Sequence, residues 1–106
     1  MDQRAAVRVP VRARAQARAA GLVIDGLVED VSRSGLFMRA PRAVDEGAAL
    51  ELDLDLPGED TLHLCAQVVR VEHEPRVGMA LRFVGDLERN RRPLANFIMR
   101  QHATSR

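Results

Sequence analysis

The stretch Glu29-Asp30-Val31-Ser32-Arg33-Ser34-Gly35-Leu36 joins the end of one alternating apolar segment to the start of another. Within it, Asp30, Ser32 and Gly35 form the pattern D-x-S-x-x-G. The pattern combines a carboxylate, a hydroxyl and a residue with a permissive backbone in one short polar turn. Taken alone, it is typical of an Asx or Ser turn between two strands. The sequence on either side decides whether it does more than reverse the chain.

Working outward from this turn, alternation of apolar and polar residues with a period of two predicts six strands. They cover residues 7–19, 22–31, 36–39, 49–56, 62–72 and 77–83. Pro10 lacks a backbone donor, so it should lie at the start of its strand or on an edge. A change of register near Val68 and Val69 predicts a β-bulge. Pro57 and Gly58 predict a tight turn between the fourth and fifth strands.

Apolar residues at helical spacing follow the last strand and predict an amphipathic helix over residues 90–102. Asp86 is a candidate cap, and Asn90 is the expected N-cap of the helix with Pro93 in its first turn. The predicted fold is mainly β, a small six-stranded antiparallel barrel with a C-terminal α-helix covering an opening. We expect residues 1–9 to form a flexible N-terminal arm, 10–102 the barrel and helix, and 103–106 a disordered tail.

Composition bounds the class of protein. The chain has 106 residues and a net charge of +1. Its length fits a single domain, and its one cysteine excludes an internal disulfide framework. Charge is uneven, because residues 43–60 hold seven acids and no arginine. The N-terminus lacks the apolar region of a secretory signal, and no apolar run is long enough to span a bilayer. We therefore expect a cytoplasmic protein without membrane insertion.

A second motif lies upstream of the turn, where Arg4 and Arg8 form R-x-x-x-R. Alone, these arginines would be solvated charges on a mobile tail. Together with the turn they make a consistent set, because an arginine fork recognises the O6/N7 edge of guanine and the Asp30 carboxylate accepts from guanine N–H groups. Ser32 adds a hydroxyl, turn N–H groups can bind phosphate, and Gly35 allows close approach. A ligand with guanines and phosphates, such as cyclic di-GMP, matches all five residues.

This pair of motifs, in this order, resembles the PilZ domain family of bacterial cyclic di-GMP receptors. The resemblance implies that Arg4 and Arg8 bind guanine and phosphate from the arm. It implies that Asp30, Ser32 and Gly35 contact the ligand from the barrel surface. It also implies a switch in which the ligand orders the arm and creates a surface for a partner.

Further residues follow from the same resemblance. Residues 78–83 look like the closing strand of the family. Gln3, which precedes R-x-x-x-R, bears on whether one ligand or a stacked pair binds, and Arg33 and Ser34 are candidates for peripheral contacts. With no second domain attached, we expect the output to be a separate, unidentified downstream protein or a change in self-association, for example a homodimer.

Other chemistries find little support. The serine of the turn lacks a G-x-S-x-G context and no histidine suggests a triad, so we predict no enzyme. His63, His73 and His102 are too far apart for a zinc helix motif, and Cys65, without a CxxC partner, is expected to be a small core residue, so we predict no metal or other cofactor.

Two other functions stay open. One is a PilZ-fold adaptor that binds proteins but not the nucleotide. The other, less favoured, is a nucleic-acid-binding barrel that uses Arg12, Arg14 and Arg18, although the chain has no Trp or Tyr for base stacking.

Overall fold

Six strands and one helix make up the computed structural model, which describes residues 7–85 and 88–104. The elements are β1 (Val9–Ala19), β2 (Leu22–Val31), β3 (Gly35–Arg39), β4 (Ala49–Asp55), β5 (Leu62–Glu72), β6 (Gly78–Val84) and α1 (Glu88–Thr104). Every predicted strand is present, with ends within two residues of those expected. Gln3, Arg4 and Asp86 lie outside the described residues, so the predictions for them stay predictions.

The strands close into a barrel in the order β1-β2-β3-β6-β5-β4, and all neighbours are antiparallel. The predicted six-stranded antiparallel barrel with a C-terminal helix is therefore confirmed. β3 pairs with β6 rather than with the next strand in sequence. This order brings the outer faces of β2, β3, β6 and β5 side by side, which sets up the site described below.

The core is built by the alternation seen in the sequence. Alanines of β1 face leucines of β4 across the ladder, at Ala15–Leu54 and Ala17–Leu52, and all four side chains are buried. Pairing small with large residues fills the interior of a narrow barrel. The same alternation corrects the expectation for Cys65, which is exposed because its neighbours on β5 point inward.

Helix α1 closes one end of the barrel by adding Leu94, Phe97 and Ile98 to the core. It begins at Glu88, so the prediction of Asn90 as N-cap is wrong. Asn90 is instead buried inside the helix, where its side-chain amide donates to the carbonyl of His63 on β5 at 2.9 Å. Pro93 therefore lies in the second turn and not in the first, and there it removes one intrahelical hydrogen bond.

The end of α1 also differs from the prediction. The helix runs to Thr104, so Ala103 and Thr104 are helical and not part of a disordered tail. Its last turns are held because Ile98 is buried and because Gln101 donates from its side chain to the Pro10 carbonyl at 3.2 Å. Among the described residues, no helix has both the length and the apolar character needed to cross a membrane.

Two irregularities shape the outer surface. Pro10 is the second residue of β1, in the part that bonds to β2 only, since pairing with β4 begins at Arg14. The predicted bulge is confirmed between Val68 and Arg70 of β5, opposite β6. Because of this bulge, the consecutive residues Val69 and Arg70 are both exposed on the outside of the barrel.

Candidate ligand-binding site

The turn between β2 and β3 is organised around the hydroxyl of Ser32. The backbone N–H groups of Ser34 and Gly35 donate to Ser32 Oγ at 3.1 and 3.2 Å, and the Ser32 N–H donates to the Gly35 carbonyl at 2.8 Å. Ser32 has no exposed surface. The structure thus gives this side chain a role in shaping the turn, and its direct contact with a ligand stays a prediction.

Gly35 is required by the packing of β3 against β6. A Cβ atom at this position would lie 2.1 Å from the Leu81 carbonyl oxygen and 3.2 Å from Arg82 Cα. The strands could not approach this closely with any side chain at position 35. Sequence reasoning assigned the glycine to ligand approach, whereas the structure shows a need within the barrel itself. Its contact with a ligand also stays a prediction.

The two sequence motifs meet at Arg8 and Asp30. Pairing of Val9 with Val31 and of Pro10 with Asp30 brings the start of β1 beside the end of β2. There Arg8 Nη2 donates to Asp30 Oδ1 at 2.5 Å. The two side chains are 50% and 36% exposed, so both remain accessible from solvent.

Arg8 and Asp30 lie on the rim of a groove on the outer surface, with a volume of about 640 Å³. This is within the usual range for small-molecule sites. The groove is formed by β2, β3, β5 and β6 together with Arg8. Its charged lining residues are Arg8, Glu29, Asp30, Arg39, Arg70, Glu72 and Arg82. Four cations against three carboxylates favour an anionic ligand.

Three of these arginines were not singled out from the sequence. Arg70 donates to Glu72 at 2.8 Å, and Arg82 donates to the side-chain carbonyl of Gln67 at 2.5 Å. Arg39 pairs with Glu29. The signal available in the sequence was their outward position on predicted strands. That signal does not say that these strands become neighbours.

The groove also has an apolar wall. Phe37 and Val69 line it, and Val69 is 47% exposed because of the bulge in β5. The Arg39 guanidinium lies over the Phe37 ring, 5.8 Å from its centroid. Phe37 is itself buried, so Val69 is the exposed apolar side chain of this wall.

A separate charged network lies on the outer face of β1, β4 and β5. Arg18 donates to Asp53 at 2.7 Å and to Glu51 at 3.3 Å, and His63 Nδ1 lies 2.5 Å from Asp53. The hydrogen bond from Arg18, and after it the one with His63, lowers the pKa of Asp53 below its usual value, while the same carboxylates raise the pKa of Arg18. Within the described part of the chain, no three His, Cys, Asp or Glu residues are arranged to hold a metal ion.

Known proteins resemble this chain in sequence and in fold. The family model described as PilZ domain matches residues 2–100. A search of curated protein sequences found no match. Among solved structures, the PilZ domain of YcgR from Escherichia coli, determined with c-di-GMP, has a TM-score of 0.80 at 15% identity, covering 99% of this chain and 95% of that chain.

Two further structures have the same fold. The Bacillus subtilis inhibitor of motility, MotI/DgrA, has a TM-score of 0.86 at 21% identity, covering 100% of this chain and 54% of that one. The PilZ domain of CeSA from a cellulose synthesizing bacterium has a TM-score of 0.68 at 18% identity, covering 88% and 95%. The chain thus spans about half the length of MotI/DgrA. Because the family model spans nearly all of the sequence and the barrel superimposes on these folds, the chain belongs to the PilZ domain family.

Proposed function

We propose that this protein is a cyclic di-GMP receptor that binds the nucleotide in the groove beside the β2–β3 turn. The observation that carries the proposal is the meeting of Arg8 and Asp30 on the rim of a cationic groove. The structure of the YcgR PilZ domain with c-di-GMP supports the same ligand class.

Guanine recognition is assigned to the Arg8–Asp30 pair. Arg8 uses Nη2 on Asp30, and a guanidinium has five N–H donors, so an edge remains for the O6/N7 acceptors of guanine. Asp30 offers its second carboxylate oxygen to the guanine N–H donors. In the free protein each side chain holds the other near the position that the base would require, which reduces the ordering needed on binding.

The phosphates are assigned to the arginines that converge from other strands. Arg39, Arg70 and Arg82 line the groove, and each shares only part of its guanidinium with a neighbouring acid or amide. Arg4 would add a further cation from the arm. Charge-assisted hydrogen bonds to phosphate are the stronger kind, and arginine can make them in pairs.

The signalling step proposed is ordering of the arm. Val9, which we predicted to be the last residue of the arm 1–9, is buried as the first residue of β1. Binding at Arg8 and Arg4 would therefore draw residues 1–8 across the groove. The ordered arm then forms part of a surface for a downstream protein in the cytoplasm, or for a second copy of the chain. The role is regulatory, and no catalysis is assigned to it.

The test is calorimetric titration of cyclic di-GMP into the wild type and into Arg8→Ala. Loss of one charged bidentate contact weakens binding by about 10- to 100-fold, corresponding to about 1–3 kcal/mol. Arg18→Ala is the matched control, because it removes the same side chain from the other outer face and should leave affinity within about twofold.

The molar ratio at saturation distinguishes one bound nucleotide from a stacked pair. Absence of heat and of thermal stabilisation with the folded wild type would overturn the receptor proposal. The protein would then be a PilZ-fold adaptor that acts without the nucleotide.

A further inference from the structure

A second groove lies on the outer face of β1 and β2, beside the end of α1. It has a volume of about 650 Å³, and the residues that matter are Arg12, Leu27, Glu29, Arg39, Arg76 and Gln101. Leu27 is 52% exposed although it lies in the middle of β2. Its outward position follows from the register, since the residue after it, Val28, fills the core.

The charges around Leu27 are not balanced. Arg12 and Arg76 are exposed, and neither forms an ion pair with any residue in the described ranges 7–85 and 88–104. On the opposite strand, Leu27 pairs with Arg39, which is already bound to Glu29. An exposed leucine flanked by two uncompensated arginines therefore forms what we call the Arg12–Leu27–Arg76 surface.

We propose that the Arg12–Leu27–Arg76 surface docks an acidic segment of a partner protein that also carries an apolar side chain. The carboxylates of the segment would pair with Arg12 and Arg76, and its apolar residue would cover Leu27. Arginine is enriched at protein interfaces because it combines charge with contact area. The part of this inference in which cyclic di-GMP regulates docking rests on the proposed function.

A protein segment fits this surface better than a nucleic acid does. The adjoining groove on the other side of Leu27 is lined by Asp25, Asp53 and Asp55 against Arg14, so a continuous phosphate backbone would meet more acids than arginines there. Arg18, further along β1, is already bound to two acids. Among the described residues, no aromatic side chain lines either groove to stack on bases, whereas a short acidic segment need only reach Arg12 and Arg76.

The two grooves share a wall. Glu29 and Arg39 line both the candidate ligand groove and the second groove. A phosphate that draws Arg39 away from Glu29 changes the charge presented beside Leu27. Binding in one groove then alters affinity in the other, and by linkage the factor is the same in both directions.

The experiment uses a peptide display library selected against the full chain saturated with cyclic di-GMP. We expect enriched peptides to combine Asp or Glu with an apolar residue. Labelled copies should bind about tenfold more weakly to Arg12→Glu, Arg76→Glu and Leu27→Asp, and more weakly at high salt. Arg92→Glu, the same charge change at an exposed position of α1, should alter peptide affinity by no more than about twofold.

Enrichment without acids, or peptide binding that survives all three substitutions, would overturn the proposal. So would binding of single-stranded or duplex DNA that is lost in the same variants. Calorimetry with cyclic di-GMP runs in parallel: peptide binding without nucleotide binding would overturn the receptor proposal and support the docking surface. A peptide affinity that is equal with and without bound nucleotide would overturn the coupling through Glu29 and Arg39.

Discussion

Arginine and acidic side chains meet on two sides of this barrel, and the two sides use them differently. On the face of β1, β4 and β5, Arg18 bonds to both Asp53 and Glu51, and Asp53 also bonds to His63. In the candidate ligand groove, Arg8 reaches one carboxylate oxygen through one nitrogen, and Arg82 reaches only an amide. Arg18 uses both terminal nitrogens on acids of its own network. Arg8 and Arg82 each use one nitrogen and keep further N–H donors beside an open groove.

The difference teaches that arginine content does not identify a binding site. The capacity of an arginine to bind a ligand depends on how many of its five guanidinium N–H donors are already used inside the protein. The strand order decides this, because it sets which acids lie opposite each arginine. In the Arg18 network, basic outward residues of β1 lie beside the acidic outward residues of β4. In the groove, Arg39 and Arg70 each pair with one carboxylate, and Arg82 bonds to an amide.

The largest expected effect is a loss of stability when the close contact between β3 and β6 beside the groove is disturbed. Gly35→Ala puts a Cβ atom against the Leu81 carbonyl oxygen, so β3 and β6 must separate. We expect the free energy of unfolding to fall by about 3 kcal/mol or more, measured by urea denaturation.

Gly47→Ala is the control for that substitution. Gly47 has a φ of +89° but a Cβ there would meet nothing within 4 Å, so only the backbone preference is lost, about 1–2 kcal/mol. Equal stability of the two variants would show that close approach to Leu81 is not what position 35 demands.

A smaller effect, on the affinity for cyclic di-GMP, is expected when a single arginine of the groove is removed. Arg82→Ala should weaken cyclic di-GMP binding about tenfold, because a charge-assisted bond of about 1.5 kcal/mol is lost. Gln67→Ala, which removes only the partner of Arg82, should leave affinity unchanged or slightly improved. Calorimetry on variants with unchanged thermal unfolding decides the matter, and an Arg82→Ala protein that binds like wild type would remove this residue from the site.

The smallest expected effect concerns the pH dependence of the Arg18 network. Arg18 first, and His63 second, lower the pKa of Asp53 in the folded protein. The charged carboxylate therefore stabilises the fold above the pKa of an unfolded aspartate, about 3.9, and this stability is lost as pH falls through the lower folded value. The difference in unfolding free energy between wild type and Asp53→Asn should shrink as pH falls below about 4.

Urea denaturation across that pH range measures this difference. A difference that stays the same at acid pH would mean that the charge of Asp53 does not contribute. Cyclic di-GMP affinity should not change in Asp53→Asn, since the residue lies outside the candidate groove.

Local pattern predicted most of the fold. Strands β2 and β5 have the ends expected, and the bulge in β5 lies where the alternation changes, because burial of one face imposes a period of two on the side chains. The family and its two motifs were also visible in the sequence, whereas the contact between Arg8 and Asp30 comes from the pairing of β1 with β2. Asn90 was misassigned because its partner, the His63 carbonyl, lies 27 residues away.

The sequence by itself thus determined the elements, the barrel class and the position of the turn, since these depend on neighbours along the chain. Only the tertiary structure decided that Ser32 is buried, that Gly35 serves the contact with Leu81, and that Arg39, Arg70 and Arg82 share one groove. The contact of Gly35 and the shared groove depend on β3 pairing with β6. That choice comes from closing a whole barrel around one core, and no local pattern encodes it.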